Sequence, residues 1–280
     1  MSNPIRSITH QLEFAWRRIS AAQRVMPSFL IIGAAKCGTT SLYNYLIRHP
    51  QVAACFKKEV HYFDYYHHKG PNWYRAHFPL QSSVLQGNLI VGESSPYYLA
   101  HPLSPSRVAA ELPKVKLICM LRNPVDRAIS SYQNQVRLGI ESLTSFEEAL
   151  AAEDERILGH EERLEREPEY SSFEHKYFSY FHRGCYAIQL KRWMDAFPSH
   201  QFLVIRSESF FADPRREFMR VLRFLELPDA DPQGGYKVYN AGGEYDAMTP
   251  RLRGELLERY RPHNEELFRL IGERFTDWDR

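Results

Sequence analysis

Nine consecutive residues, Gly33-Ala34-Ala35-Lys36-Cys37-Gly38-Thr39-Thr40-Ser41, have the make-up of an anion seat. They follow an apolar run and precede a stretch of helical periodicity. A strand-to-helix turn leaves backbone N–H groups free and aims the helix dipole at any bound anion. Glycines let the backbone come close to a phosphate, and Thr39, Thr40 and Ser41 add hydroxyl donors. Gly33 and Gly38 have the separation of the nucleotide-kinase loop G-x-x-x-x-G-K-[ST], but Thr39 stands where that loop has its lysine and Lys36 lies inside the turn. A kinase also needs a second acid to hold Mg²⁺. The run over 115–121 ends instead in Arg122-Asn123-Pro124. Glu93 could stand in for that acid, which keeps a P-loop kinase as the alternative reading.

A second group, Lys58, Glu59, His61 and Asp64, could move a proton. Glu59 is the candidate general base, and the neighbouring Tyr62-Phe63 is expected to exclude water and raise its carboxyl pKa. His61 is the rival base, since imidazole titrates near neutrality. It could instead pair with Asp64 on the acceptor side, with Lys58 adding positive potential. His61, His67 and His68 fit no common metal spacing, so no metal is expected. Arg122 and Ser130 are eight residues apart, one at a strand end and the other two turns along the next helix.

The elements that must position these groups read as an α/β fold. Apolar runs over 29–33, 89–91, 115–121 and 202–205 are separated by helical stretches, which indicates a parallel sheet with helices on both faces, in a single domain. Helices are expected over 40–48, from Pro124 to about Leu138, over 145–166 (highly charged), over 184–197, after an Asp213 cap, and over 250–271. Trp193 reads as core and Arg127 as a brace paired with an acid. Tyr65, Tyr66, Trp73 and Tyr74 form either an aromatic rim or part of the core. Residues 1–26 read as a helical extension, amphipathic over 7–19, and 27–280 as the main domain.

The chain has 280 residues, 44% hydrophobic and 25% charged, with a formal net charge of +2. That balance excludes a polyanion-binding surface, so no nucleic-acid partner is expected, and any anion site must be local. No stretch approaches the roughly 20 apolar residues of a membrane span. Cys37, Cys55, Cys119 and Cys185 match no zinc pattern and read as reduced thiols of a cytoplasmic protein.

Residues 29–52, FLIIGAAKCGTTSLYNYLIRHPQV, resemble the 5′-phosphosulfate loop of sulfotransferases that use 3′-phosphoadenosine-5′-phosphosulfate (PAPS). The similarity is to their heparan sulfate N- and 3-O-sulfotransferase branch. Four further blocks follow in order: Lys58-Glu59-Val60-His61-Tyr62-Phe63-Asp64, Gly92-Glu93-Ser94-Ser95-Pro96-Tyr97-Tyr98, the run from Arg122 to Tyr132, and Arg183-Gly184-Cys185-Tyr186 with Trp193. The resemblance implies sulfuryl transfer to an acceptor hydroxyl or amine, on a saccharide or small metabolite, leaving 3′-phosphoadenosine-5′-phosphate (PAP). It implies that Lys36 stabilises the leaving oxygen and that Glu59 is the catalytic glutamate. Cys37, Gly38, Thr39, Thr40 and Ser41 would hold the 5′-phosphosulfate. Arg122 and Ser130 would hold the 3′-phosphate, with Arg183, Gly184 and Tyr186 wrapping the nucleotide. Lys58, Asp64 and Ser94 fall on the acceptor side. Ser94 stands where the animal enzymes have a lysine, so a highly sulfated acceptor is less expected. Residues 239–245 resemble the family's closing loop without its Cys pair and Lys-Gly-Arg cluster. A PAP-binding module without turnover is the remaining alternative.

Overall fold

The computed structural model describes residues 4–239 and 248–279. Its centre is a five-stranded sheet of β1 (Phe29–Gly33), β2 (Val52–Ala53), β3 (Ile90–Ser94), β4 (Lys116–Leu121) and β5 (Phe202–Arg206), all parallel, in the order β2-β3-β1-β4-β5. β1 is the middle strand, with Phe29 opposite Gly92 of β3 and Lys116 of β4. All five of its residues are buried, as expected of a strand covered on both faces. β5 is an edge strand and only half-buried.

Two departures from the sequence reading concern strands. β2 was not anticipated, since two residues carry no periodic signal. β3 begins and ends later than expected and runs through Gly92-Glu93-Ser94. Its polar side chains are buried rather than solvated.

The helices follow local chemistry. Asn123 accepts from the Val125 amide at the start of Pro124–Arg137, where Pro124 occupies the first turn and, having no N–H, needs no acceptor. Thr249 caps Pro250–Ile271, and Gly272, at φ 70°, ends it in the left-handed conformation. That helix has the bounds expected from the sequence. The charged 145–166 stretch does not form one helix. It breaks at Ala152 and at Gly159 (φ 76°) into Phe146–Ala151, Glu153–Ile157 and His160–Arg166. The helix expected over 184–197 runs Tyr186–Ala196 behind a short 3₁₀ turn.

Asp213 caps Pro214–Phe224 by accepting from the Arg216 amide at 3.0 Å. Asp213→Ala is expected to cost about 1 kcal/mol, read as a lower urea midpoint with an unchanged denaturant slope.

Most of the apolar core surrounds the sheet, and Trp193 lies within it, fully buried. A second cluster joins Pro124–Arg137 to Pro250–Ile271 through Val125, Tyr132, Tyr180, Phe181 and Tyr260. The Pro4–Ile19 helix rests on the domain: Phe14 stacks on Phe56, and Arg17 donates to the carbonyls of Ala76 and Phe78. No described helix is long and apolar enough to cross a membrane.

Candidate active site

A cavity of about 640 Å³ opens at the carboxyl ends of β3, β1, β4 and β5. Residues following each of these strands line it: Pro96 and Tyr97, then Ala35, Lys36 and Gly38 to Thr40, then Arg122, and last Ser207 and Glu208. This is where ligands settle in open parallel sheets, beside the strand at which chain order reverses.

The turn after β1 supplies the first anion seat. Gly38, at φ 92°, starts the Thr39–Leu46 helix, and no side chain caps that terminus. The first amides therefore remain available to a ligand. A Cβ at Gly38 would lie 2.9 Å from the Phe211 ring, so conformation and space both require glycine. Lys36 is held at φ 73°. Its Nζ donates to Asn134 Oδ1 at 3.1 Å, an oxygen that also accepts from Arg137 at 2.9 Å. Burial lowers the Lys36 pKa, helped by the Arg137 and Arg122 charges, which leaves its ammonium in need of an anion.

Arg122 and Ser130 form a second seat on the same cavity. The Arg122 guanidinium and the Ser130 hydroxyl have no partner among the described residues. The Arg122 carbonyl accepts from the Tyr186 hydroxyl at 2.9 Å, which ties down the end of β4. Arg183 also reaches the cavity. It donates to the Lys176 carbonyl at 2.8 Å and lies over the Tyr97 ring. Arg127 is not the acid-paired brace expected. It is buried and donates to the Tyr180 carbonyl; among the described residues no carboxylate pairs with it, and its Nε and Nη1 have no hydrogen-bond partner.

Glu59 and His61 face these seats. Their backbones sit at φ 58° and 57°, costly for residues with a Cβ. A buried polar network holds them there. The Val60, His61 and Tyr62 amides donate to Glu93, the Ser95 hydroxyl and the Tyr98 hydroxyl. Glu93 in turn accepts from Tyr74 at 2.7 Å and from Tyr98 and Ser95 at 2.8 Å. Glu93 is thus committed to hydroxyls and an amide in the core, and the metal-holding role that kept the kinase reading open is absent from its geometry. Among the described residues no three His, Cys, Asp or Glu side chains converge on a metal-sized site.

The protonation states differ from the sequence expectation. Burial does push the Glu59 carboxyl up, but the His61 hydrogen bond and the Lys58 and His61 charges outweigh it and carry the pKa down to about 2. The aromatic neighbours were visible in the sequence; the backbone reversal that returns His61 to Glu59 was not. The Glu59 side chain stays 42% exposed, open to an incoming acceptor. For His61, burial pushes down, but the Asp64 carboxylate at 2.7 Å and the Glu59 oxygen raise the pKa to about 9. His61 contacts Asp64 through Nδ1 and Glu59 through Nε2, the latter at 3.4 Å. As an imidazolium it has no lone pair for another proton.

Of the sequence-nominated residues, Lys36, Gly38, Thr39, Thr40, Glu59, His61, Arg122, Ser130 and Arg183 line the cavity. Seven stand behind the wall. Cys37 points its thiol at Tyr186, Ser41 accepts from the Tyr239 amide, and Lys58 donates to Thr40 and Glu59. Asp64 is buried behind His61, and Ser94 is buried with an unpartnered hydroxyl. Gly184 packs so tightly on Tyr260 that a Cβ would lie 2.6 Å from its hydroxyl. Tyr186 is core. Tyr74 is core as well, while Tyr65 stacks on Tyr97. None of residues 145–166 lines the cavity, and residues 240–245 of the expected closing loop lie outside the described residues. Asn134, Lys176, Tyr97 and Tyr177 line it and were not singled out for it. Asn134 is four residues after Ser130 on the same helical face, a spacing that could have found it. Lys176 had no such signal.

The fold and cavity define an α/β parallel-sheet protein with two cation-bearing seats beside an acid–imidazole pair. Residues 26–234 match the family model described as "Sulfotransferase domain", and the chain belongs to that family. It is 31% identical over 275 residues to human heparan sulfate glucosamine 3-O-sulfotransferase 6, covering 90% of this chain and 74% of that protein. It is 29% identical over 297 residues to the Xenopus tropicalis bifunctional heparan sulfate N-deacetylase/N-sulfotransferase 1, covering 95% of this chain and 32% of the relative. The chain thus spans about a third of the length of such bifunctional relatives. A solved sulfotransferase from Alicyclobacillus acidocaldarius superposes with a TM-score of 0.70 at 34% identity, covering 91% of this chain and 100% of that one.

Proposed function

We propose that this chain transfers a sulfuryl group from PAPS to a hydroxyl or amine on a saccharide or small-metabolite acceptor. One observation carries the reading: Lys36 with its glycine-bounded turn, the Arg122–Ser130 pair and the Glu59–His61 pair all face one cavity. A donor with phosphates at its 5′ and 3′ ends needs two separate anion seats, and an acceptor needs a group to take its proton. Residues 27–280 form the catalytic domain in this reading, and 1–26 an extension. The four free thiols favour a reducing compartment, the cytoplasm.

In the step we assign, the acceptor oxygen or nitrogen forms a bond to sulfur as the bond from sulfur to the bridging phosphate oxygen breaks. Glu59 takes the acceptor proton. The electron pair of the broken bond stays on the leaving PAP, and Lys36 with the turn amides neutralises the added charge. His61, held cationic by Asp64, keeps Glu59 oriented and adds positive potential at the transferring group. Arg122, with its planar fork, and Ser130 hold the 3′-phosphate.

The test is equilibrium binding of PAP against 5′-AMP, which differ by the 3′-phosphate alone. Wild type is expected to bind PAP at least about tenfold tighter, the effect of a charge-assisted hydrogen bond. Arg122→Leu should remove most of that preference. Equal binding of the two nucleotides to wild type would sink the donor assignment.

A further inference from the structure

Lys176 belongs to the short Phe173–Tyr177 helix, far in sequence from the other charged groups of the cavity. Its ammonium lies 4.2 Å from the Tyr65 ring centre, 5.3 Å from Tyr177 and 5.7 Å from Tyr97. Three rings thus surround one cation at the cavity wall and offset part of the cost of burying it, a cost that still lowers its pKa. It makes no ion pair or hydrogen bond through Nζ among the described residues. The contrast with Lys36, fixed by Asn134, is direct.

The two lysines stand on different sides of the cavity. Tyr65, whose ring centre lies 4.2 Å from the Lys176 ammonium, also stands 5.7 Å from the His61 ring, whereas Lys36 is tied to Asn134 on the helix that carries Ser130. Lys176 therefore belongs with the proton-accepting group. Ser94, the position at which the family resemblance places a substrate-side cation, is buried off the wall. The fold brings a cation to the acceptor side from another element.

We propose that Lys176 forms an anion subsite on the acceptor side, and that the acceptor carries a carboxylate or sulfate-ester group near the hydroxyl or amine that receives the sulfuryl group. Tyr177, half-buried at the cavity wall, flanks the subsite and offers apolar surface to the acceptor body. This inference rests on the sulfuryl-transfer reading for the meaning of "acceptor", but not on turnover for its test.

The experiment measures equilibrium binding of three probes, p-nitrophenyl β-D-glucuronide, p-nitrophenyl β-D-glucoside 6-sulfate and the neutral p-nitrophenyl β-D-glucoside, with and without PAP. Wild type is expected to bind at least one charged glycoside about tenfold or more tighter than the neutral one, the usual effect of a hydrogen bond to a charged group. The two charged arms separate carboxylate from sulfate recognition. K176M should bring the ratio close to one, K176R should restore it, and both variants should keep wild-type PAP affinity. The proposal is overturned if wild type does not discriminate or binds no glycoside, if K176M keeps the ratio, or if K176M loses PAP affinity with the ratio intact. Failure of wild type to bind PAP would count against the donor reading alone, since the glycoside ratio is also read without it.

Discussion

Glu59→Gln is expected to lower kcat by about 10²–10⁴-fold, the range for loss of a general base, while PAP binds as in wild type. The substitution keeps size and hydrogen-bonding reach at a side chain that is 42% exposed, so the fold should be little affected. What it removes is the carboxylate that can hold the acceptor proton. A second readout separates this role from a structural one. Glu59 helps to raise the His61 pKa to about 9. In the Gln variant that pKa should fall, visible in an NMR titration of the His61 ring. The pH dependence of wild-type kcat/KM discriminates the two bases. With Glu59 at about 2 and His61 at about 9, the rate should lack an acid limb near neutrality and fall at alkaline pH as His61 loses its charge. A rate that instead rose through about 9, as His61 gave up its proton, would assign the base to neutral His61. Full turnover by the Gln variant would remove Glu59 from the mechanism.

Lys36→Met should lower kcat by about 10²–10³-fold, as when one preorganised donor to a developing charge is removed. The loss should fall on kcat more than on PAP affinity, because charge on the bridging oxygen grows only as the sulfur–oxygen bond breaks. Lys36→Arg should rescue poorly. The residue sits at φ 73° with Nζ on Asn134 Oδ1, a place for a compact ammonium rather than a planar fork. Single-turnover measurement with PAPS separates chemistry from product release. A variant whose chemical step matched wild type would show that the charge is neutralised elsewhere, with the turn amides and Arg122 the remaining candidates.

Much of this architecture was legible because it rests on local rules. Buried parallel strands read as apolar runs, and Pro124, Asp213 and Pro250 mark helix starts that the structure reproduces. The glycine-bounded turn was legible for the same reason. What escaped depends on contacts between distant segments. Glu93 looked like a possible metal ligand, yet it is an internal anchor for a loop more than thirty residues earlier. The Glu59 pKa moves in the opposite direction to the expectation, because only the folded chain brings His61 back onto it. Lys176 lies in a five-residue helix without periodicity, and nothing in its neighbourhood marks it for the cavity. The breaks within 145–166 were not legible from its charge, and Arg156 there pairs with the buried Glu141 while Glu161 pairs with Arg192.

The strand order has a consequence for how the reaction distance is set. Glu59 is anchored through Glu93 and Ser95 to the end of β3, Lys36 follows β1, and Arg122 follows β4. These strands are immediate neighbours, with backbones about 4.8 Å apart along the hydrogen-bonding direction, so the segments that carry Lys36 and Arg122, and the anchor of the Glu59 loop, start from adjacent strand ends. The spacing of those strand ends is set by the backbone ladders. Lengthening or exchanging the surface loops that greet the acceptor would then retune which molecule enters without changing the spacing along which sulfur must travel.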